Sequence, residues 1–415
     1  MEQSPTAFLP YGRQSIDETD IDSVVELLQS NWLTTGPKVI AFERALAARV
    51  EARHAVSCSS GTAALHLAAL ALGLGPGDLV IVPSITFLAT ANAVRFVGAD
   101  VLFADVDPET GLMGEAEFKA AFDRAGPEQK RIKAVFPVHM NGQSAPMEAI
   151  HRFARQQRIA VVEDACHALG GRVGAADGQS RLVGCCAFSD LTIFSFHPVK
   201  TIAMGEGGAV VTQDDRLAEK LLRLRSHGMT QNPENFQNPH LARDGQGRIN
   251  PWYYEMTDLG YNYRASAIHC ALGLSQLGRL DRFVAKRRAL VARYDQAFQS
   301  LSPHIRLLGR LPDAEPAWHL YVLRIDFQTL GLTRAAFMES LWQENIGSQV
   351  HYLPVYRQPY YCVLYGEQFL PGAESYYAQA ISIPLYYNMQ AADVDRVVSA
   401  VTGIVKAQES GVLHE

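Results

Sequence analysis

The sequence predicts an α/β protein, with a mostly parallel central sheet in a large domain and a smaller α+β domain after it. Three observations predict this. From residue 54 to residue 164, short apolar runs alternate with helical patterns. Those runs are continuous rather than alternating, as parallel strands covered on both faces read. From about residue 290 the order changes to strands mixed with helices. At 415 residues the chain is long enough for two domains, and the change of pattern divides it into 1–285 and 286–415.

Taken in order, DETDIDSVVELLQSN is an amphipathic helix with acidic residues at its start, where the helix dipole favours them. Gly36-Pro37 breaks the pattern and VIAFERALAARV resumes it. AVSC is a strand, and GTAALHLAALALGL is a helix ended by Gly73 and Gly75. LVIVP, VLFADV, IKAVFPV and IAVVEDA follow as strands, with helices ITFLATANAVRFVG and PMEAIHRFARQQR among them. Between CCAFSDLTIFSF and GGAVVT the helical spacing disappears, and two strand-like runs are joined by a loop carrying Lys200. Residues 231–250 are rich in Asn, Pro and Gly and read as a surface loop or lid. A single long helix is expected over 271–301, crossing towards the C-terminal part. Beyond it, HLYVLRIDF and GSQVHYLPV read as strands, RAAFMESLWQE and AADVDRVVSAVTGIV as helices.

Composition excludes several functions. A net charge of -6 opposes a duplex nucleic-acid binder, which needs a basic face. The six cysteines show no CxxC pair and no metal spacing with His, so reduced thiols in the cytoplasm are expected, and no metal. The first residues lack the basic and apolar regions of a signal peptide, and no apolar run is long enough to cross a bilayer.

Three constellations could carry chemistry. SCSSGTAALHLAAL ends a strand and opens a helix, so the free amides of Gly61, Thr62 and Ala63 and the Thr62 hydroxyl could bind an anion. An ordinary Ser/Thr cap explains the same residues. IAVVEDACHALGG delivers Asp164 at a strand's carboxyl edge, where open α/β sheets bind ligands, with His167 three residues on; Asp164 could equally cap a helix. FSFHPVKTIAMGEGG holds Lys200, with Ser195 and His197 before it and Gly207-Gly208 after. A lysine partly stripped of water becomes a usable nucleophile, although a lone lysine more often packs its stem and solvates its head. Together the three are the parts of a pyridoxal 5'-phosphate site: a phosphate cup, an anion for the pyridine nitrogen, and an amine. Phe87, in VPSITFLATANA, could face the ring or belong to the core.

NWLTTGPKVIAFE, SSGTAALHLAAL, VPSITFLATANAV, VEDACHALGG, FSFHPVKTIAMGEGG, RSHG and LGYNYR resemble the pyridoxal-phosphate-dependent nucleotide-sugar aminotransferases. This is the DegT/DnrJ/EryC/StrS family of fold type I, and the likeness runs over almost the whole chain. It implies that Lys200 carries the cofactor, that Asp164 partners the pyridine nitrogen, that His167 lies near the phenolic oxygen and that Phe87 stacks on the ring. It places Gly61, Thr62 and Ser195 at the phosphate. Asn262 would reach the phosphate of the neighbouring subunit's cofactor, which implies a homodimer with shared sites. PWYYEMTDLGYNYR and QVHYLPVYRQPYY resemble the branch of the family that serves pseudaminic acid biosynthesis. That branch implies amino transfer from L-glutamate to C4 of a UDP-linked 4-keto-6-deoxy-N-acetylhexosamine. Thr35, His197, His227, Tyr254, His319, His351 and Tyr352 are then candidates for sugar or diphosphate contacts. TIAMGEGG and ASAIHCALG depart from the family's usual text beside the site. Three other readings share the resemblance: a 3-amino transferase on a thymidine-linked sugar, a sugar dehydratase, and a non-catalytic cofactor-binding module. In the dehydratases a histidine stands at the lysine position, which Lys200 opposes.

Overall fold

In a computed structural model, residues 7–299, 301 and 303–410 are described. Residues 1–6, which open the stretch read above for a targeting signal, lie outside them, as do Ser300, Ser302 and 411–415. Seven strands form the main sheet: β1 (His54–Cys58), β2 (Leu79–Pro83), β3 (Asp100–Ala104), β4 (Ile132–Val135), β5 (Ala160–Asp164), β6 (Leu191–Ser195) and β7 (Gly208–Thr212). Their order is β1-β7-β6-β5-β4-β2-β3. Strand β7 runs against the other six. Strands β2 and β7 are buried at every position, which explains why they read as unbroken apolar runs.

Local signals explain the helix ends. Asp17 caps the helix Glu18–Leu28 in a reciprocal capping box with Asp20. Pro37 starts Pro37–Val50, in the first turn, where its missing N–H has no intrahelical acceptor to lose. Ser60 caps Gly61–Ala71, whose alanine-rich body is nearly all buried against the sheet.

The long helix expected over 271–301 is two helices, Ala267–Leu277 and Leu280–Phe298. The break falls at Gly278, a poor helix former, and at Arg279, whose guanidinium turns back to pair with Asp17 and Asp20. The helix Leu280–Phe298 runs through residue 285 and covers a second sheet, of strands β8 (Ile305–Leu307), β9 (Tyr321–Ile325) and β10 (Ala380–Ile383), all antiparallel. Helices Arg334–Gln343 and Ala391–Glu409 complete this layer.

The expected strand GSQVHYLPV does not form. It makes one isolated bridge, Gln349 to Ser382, and then departs, with Val355 N–H donating to Ser84 O (2.9 Å). Pro354 can donate to no ladder. The helix Glu115–Arg124 and the strand β10 carry signals too short or too polar to stand out in the sequence.

Candidate active site

The main sheet brings its carboxyl edge to one place. A cavity of about 550 Å³ opens there, lined by residues from the ends of β1, β2, β5 and β6, by the Lys200 loop, and by the segment 349–353.

At the end of β1 the chain turns into a helix whose first N–H groups have no intrahelical acceptor. Ser60 Oγ accepts from Ala63 N–H (3.1 Å). The Ala63 amide expected at an anion is therefore spent on the cap, and Ala63 does not line the cavity. Gly61 and Thr62 do. A side chain on Gly61 would put its Cβ 2.8 Å from Ser195 Cβ and 3.1 Å from Ser195 Oγ. A Cβ on Gly208 would lie 2.3 Å from Ser60 O. These two glycines let β6 and β7 close on the turn, so the Ser195 hydroxyl stands beside the Gly61 backbone.

Strand β5 ends at Asp164, which is 5 % exposed. Its carboxylate accepts from Thr90 Oγ1 (2.7 Å) and from Cys166 N–H (3.2 Å). Thr86 Oγ1 lies 2.8 Å from Thr90 Oγ1. Since the Thr90 proton goes to Asp164, Thr86 donates to Thr90. Thr86 stands just before the helix Leu88–Phe96 and Thr90 in its first turn, and their hydroxyls form a chain that supports one oxygen of the carboxylate.

Lys200 sits in the β6–β7 connection, its N–H bonded to His197 O (2.8 Å). Burial lowers its ammonium pKa, against the opposing pull of the Asp164 carboxylate. The same burial pushes the Cys166 thiol well up, so it stays protonated.

Above these groups stand four rings. His167 and His319 have ring centroids 4.4 Å apart, and His167 Nε2 lies 3.4 Å from the Tyr352 hydroxyl. His351 Nδ1 meets Ser382 Oγ at 2.8 Å. Burial first, then Lys200, holds all three histidines below the usual range, His351 at about 3. They are neutral at neutral pH. The Nδ1 atoms of His167 and His319 are buried with no hydrogen-bond partner among the described residues. Phe87, half exposed in the turn after β2, approaches Tyr352 at 5.9 Å across the mouth.

Gly61, Thr62, Phe87, Asp164, His167, Ser195, His197, Lys200, His319, His351 and Tyr352 thus share one cavity. Thr35, His227, Tyr254 and Asn262 do not line it; all four are exposed. His227, with φ 61°, and Asn262 lie on two neighbouring surface segments, joined through the antiparallel bridge from Ser226 to Asn262. The sequence reading passed over Tyr11, Thr86, Thr90, Cys166, Gln349 and Gln358, which also line the cavity. Thr86 and Thr90 had a signal, two hydroxyls at i,i+4 directly after a strand. Tyr11 had none.

The residues fit pyridoxal phosphate. Two free amides and two hydroxyls form a cradle that a single added methyl would fill, a buried carboxylate lies across from an amine of lowered pKa, and an unpartnered ring nitrogen stands nearby.

Comparison with known proteins agrees. The DegT/DnrJ/EryC1/StrS aminotransferase family matches residues 14–402. The chain is 40% identical over 412 residues to the spore coat polysaccharide biosynthesis protein SpsC of Bacillus subtilis, covering 99% of this chain and 100% of that one. It is similar to PseC of Helicobacter pylori, an aminotransferase involved in pseudaminic acid biosynthesis, with a TM-score of 0.84 and 29% identity over 96% of this chain and 100% of that one. It is also similar to the PLP form of the sugar aminotransferase Spr1654 of Streptococcus pneumoniae, with a TM-score of 0.83 and 26% identity over 97% and 99% of the two chains. The chain therefore belongs to the DegT/DnrJ/EryC1/StrS aminotransferase family, as a pyridoxal-phosphate-dependent sugar transaminase of fold type I.

Proposed function

We propose that the cavity around Lys200 moves an amino group from L-glutamate to C4 of a UDP-linked 4-keto-6-deoxy-N-acetylhexosamine, in the formation of pseudaminic acid. The observation that carries this reading is the meeting of the Lys200 amine, the Asp164 carboxylate and the Gly61–Thr62 amides in one cavity. When bound, pyridoxal phosphate supplies a carbonyl to receive the donor's nitrogen and a ring that draws electrons from the donor's α-carbon. Gly61, Thr62 and Ser195 hold its phosphate, and Phe87 covers its ring. Asp164, steadied by Thr90, holds a proton on the ring nitrogen. Lys200 would anchor the cofactor, and its amine would be the base that moves the proton at the donor's α-carbon. Its lowered pKa keeps part of it in the neutral form that can do so. The rings around the cavity would limit water, and His197, His351 and Tyr352, which line it, would meet the sugar.

The reading includes a homodimer in which Asn262, exposed on its segment and outside its own cavity, reaches the partner's phosphate. Thr35, His227 and Tyr254, exposed like it, would meet substrate only in that assembly. Six free thiols favour the reducing cytoplasm. The 40% identity to a spore coat polysaccharide protein favours a second reading, in which another nucleotide-linked keto sugar, destined for a surface polysaccharide, is the acceptor.

The test charges the purified holoprotein with glutamate and then offers UDP-4-keto-6-deoxy-N-acetylhexosamines of both C5 configurations and a thymidine-linked 4-keto-6-deoxyhexose. Formation of a UDP-4-amino sugar from one C5 epimer supports the first reading. Turnover of the thymidine-linked sugar alone would move the proposal to the second.

A further inference from the structure

We propose that Arg287 is a positioning residue of this active site, pinning the His319 main chain so that the His319 ring is held against His167. Arg287 lies in the helix Leu280–Phe298 and is 2 % exposed. Its Nη1 donates to His319 O (3.2 Å) and to Leu385 O (2.9 Å). Its Nε has no partner, and among the described residues no carboxylate pairs with it. A buried guanidinium held only by carbonyl groups is costly, and an apolar side chain of similar length would be cheaper there. A costly group in a core is expected where function constrains the position.

The rest of the His319 backbone is fixed as well. His319 N–H donates to Asn141 O (2.9 Å), and Ala317 N–H to Gly142 O (3.0 Å). Asn141 and Gly142 both have positive φ, and a Cβ on Gly142 would stand 2.2 Å from Ala317 O. The His319 segment is thereby clamped between the loop after β4 and Arg287. What it presents to the cavity is a buried ring 4.4 Å from His167, both with unpartnered Nδ1 atoms.

The uncompensated charge has a second effect. His319 faces Lys200, His167, Arg287 and His351, while His167 faces Lys200, His351 and the Tyr352 hydroxyl, with Asp164 and Cys166 lining the same cavity. Burial is the largest cause keeping both histidines neutral, and Arg287 adds to it at His319. Burial also lowers the Arg287 pKa, to about 10, which leaves it charged at neutral pH. With Arg287 in place each ring keeps one N–H and one lone pair, and the lone pair or N–H of His167 is fixed for the group beside Lys200. This use of His167 rests on the function proposed above.

The experiment follows histidine protonation by NMR in holoenzyme labelled with 13C-histidine, assigned with His167→Asn and His319→Asn, and measures the single-turnover reaction with glutamate. In the wild type neither ring should titrate between about pH 5 and pH 8, the range in which an ordinary histidine changes charge. In Arg287→Met the His319 ring, no longer pinned, should show changed shifts and a raised midpoint, while the burial and the Lys200 charge that remain still hold it below the ordinary value. The single-turnover rate should fall roughly tenfold or more with KM for glutamate little changed, since misplacement of a site group costs rate. Arg287→Lys, which keeps a cation and a donor, should restore most of both. A wild type whose His167 or His319 titrates near the ordinary value overturns the proposal, and needs no variant to fold. An Arg287→Met protein with wild-type titration and rate overturns it too. The titration uses neither donor nor sugar, so failure of the proposed acceptor leaves this result standing by itself.

Discussion

Replacing Gly61 with alanine separates cofactor binding from folding. Two effects oppose each other. In the first turn of a helix, alanine is better than glycine by about 0.5–1 kcal/mol on conformational grounds. Against this, the new Cβ would stand 2.8 Å from Ser195 Cβ and 3.1 Å from its Oγ, with Cys166 Sγ at 3.4 Å. Overpacking of this degree costs about 1–3 kcal/mol. The clash should win, and most of it should fall on the cofactor, because the easiest relief is for Ser195 and the Gly61 turn to part at the place where the phosphate binds. Net stability of the apoprotein should then change by no more than about 2 kcal/mol. Affinity for pyridoxal phosphate should fall roughly tenfold to a hundredfold, at about 1.4 kcal/mol per tenfold. The assay titrates the cofactor into apoprotein, followed by its visible absorbance, beside a thermal melt of the same sample. A Gly61→Ala protein that binds the cofactor as tightly as the wild type would refute the assignment of this turn to the phosphate.

Other perturbations have equally definite outcomes. Thr90→Val removes the 2.7 Å hydrogen bond to buried Asp164 at constant shape; a bond to a charged group contributes about 1.5–3 kcal/mol, so kcat should fall roughly tenfold to a hundredfold while the protein stays folded, and an unchanged kcat would count against the role of Asp164. Asp20→Ala removes the buried one of Arg279's two carboxylates, leaving Asp17, and strips an acceptor from Gln276, whose Oε1 accepts from Ala203 N–H in the Lys200 loop. Denaturant unfolding should show a loss of about 3–5 kcal/mol, the usual effect of breaking a buried pair, and a loss below about 1 kcal/mol would mean the network is idle. His351 is lowered from 6.5 to about 3 by burial and by Lys200, so between these values the unfolded chain binds the extra proton and the folded one does not. Its contribution is therefore complete above about pH 6.5 and is lost as pH falls, by about 2–3 kcal/mol between pH 7 and pH 4.5. Urea titrations of wild type and His351→Gln at the two pH values measure this: the variant should lose less stability by about that amount, with His167 and His319 keeping their own share.

The parts of the site that could be read from the sequence are those tied to strand ends. Gly61-Thr62, Asp164 and Ser195 each follow an apolar run at a fixed offset, and the parallel sheet gathers such offsets at one edge. Lys200 was recognisable because it sits in the connection between two apolar strands, with glycines after it. The ring cluster was only partly visible. His351 and Tyr352 stood in a segment with strand-like spacing, yet the chain leaves the sheet there because Pro354 and the bond from Val355 to Ser84 direct it to the cavity. Tyr11 enters from a segment that has no periodic signal of its own. The break at Gly278 could not be seen by periodicity, since the apolar spacing continues across it; what ends the helix is the distant pair Asp17 and Asp20 holding Arg279. Long-range contacts of this kind are invisible to a local reading. So is the cost of burying Arg287 without a counter-ion, which depends on carbonyls at His319 and Leu385 far along the chain.

The central claim is that Lys200 performs the amino transfer in this cavity. The direct measurement compares wild-type and Lys200→Ala proteins, both loaded with the cofactor, for production of 2-oxoglutarate from glutamate and of an amino sugar from a keto sugar nucleotide. The account predicts transfer by the wild type, and borohydride treatment that leaves the cofactor's mass on the peptide containing Lys200. It predicts for Lys200→Ala a rate lower by at least roughly a thousandfold, since the residue serves as both anchor and base. Transfer by Lys200→Ala at the wild-type rate would contradict it.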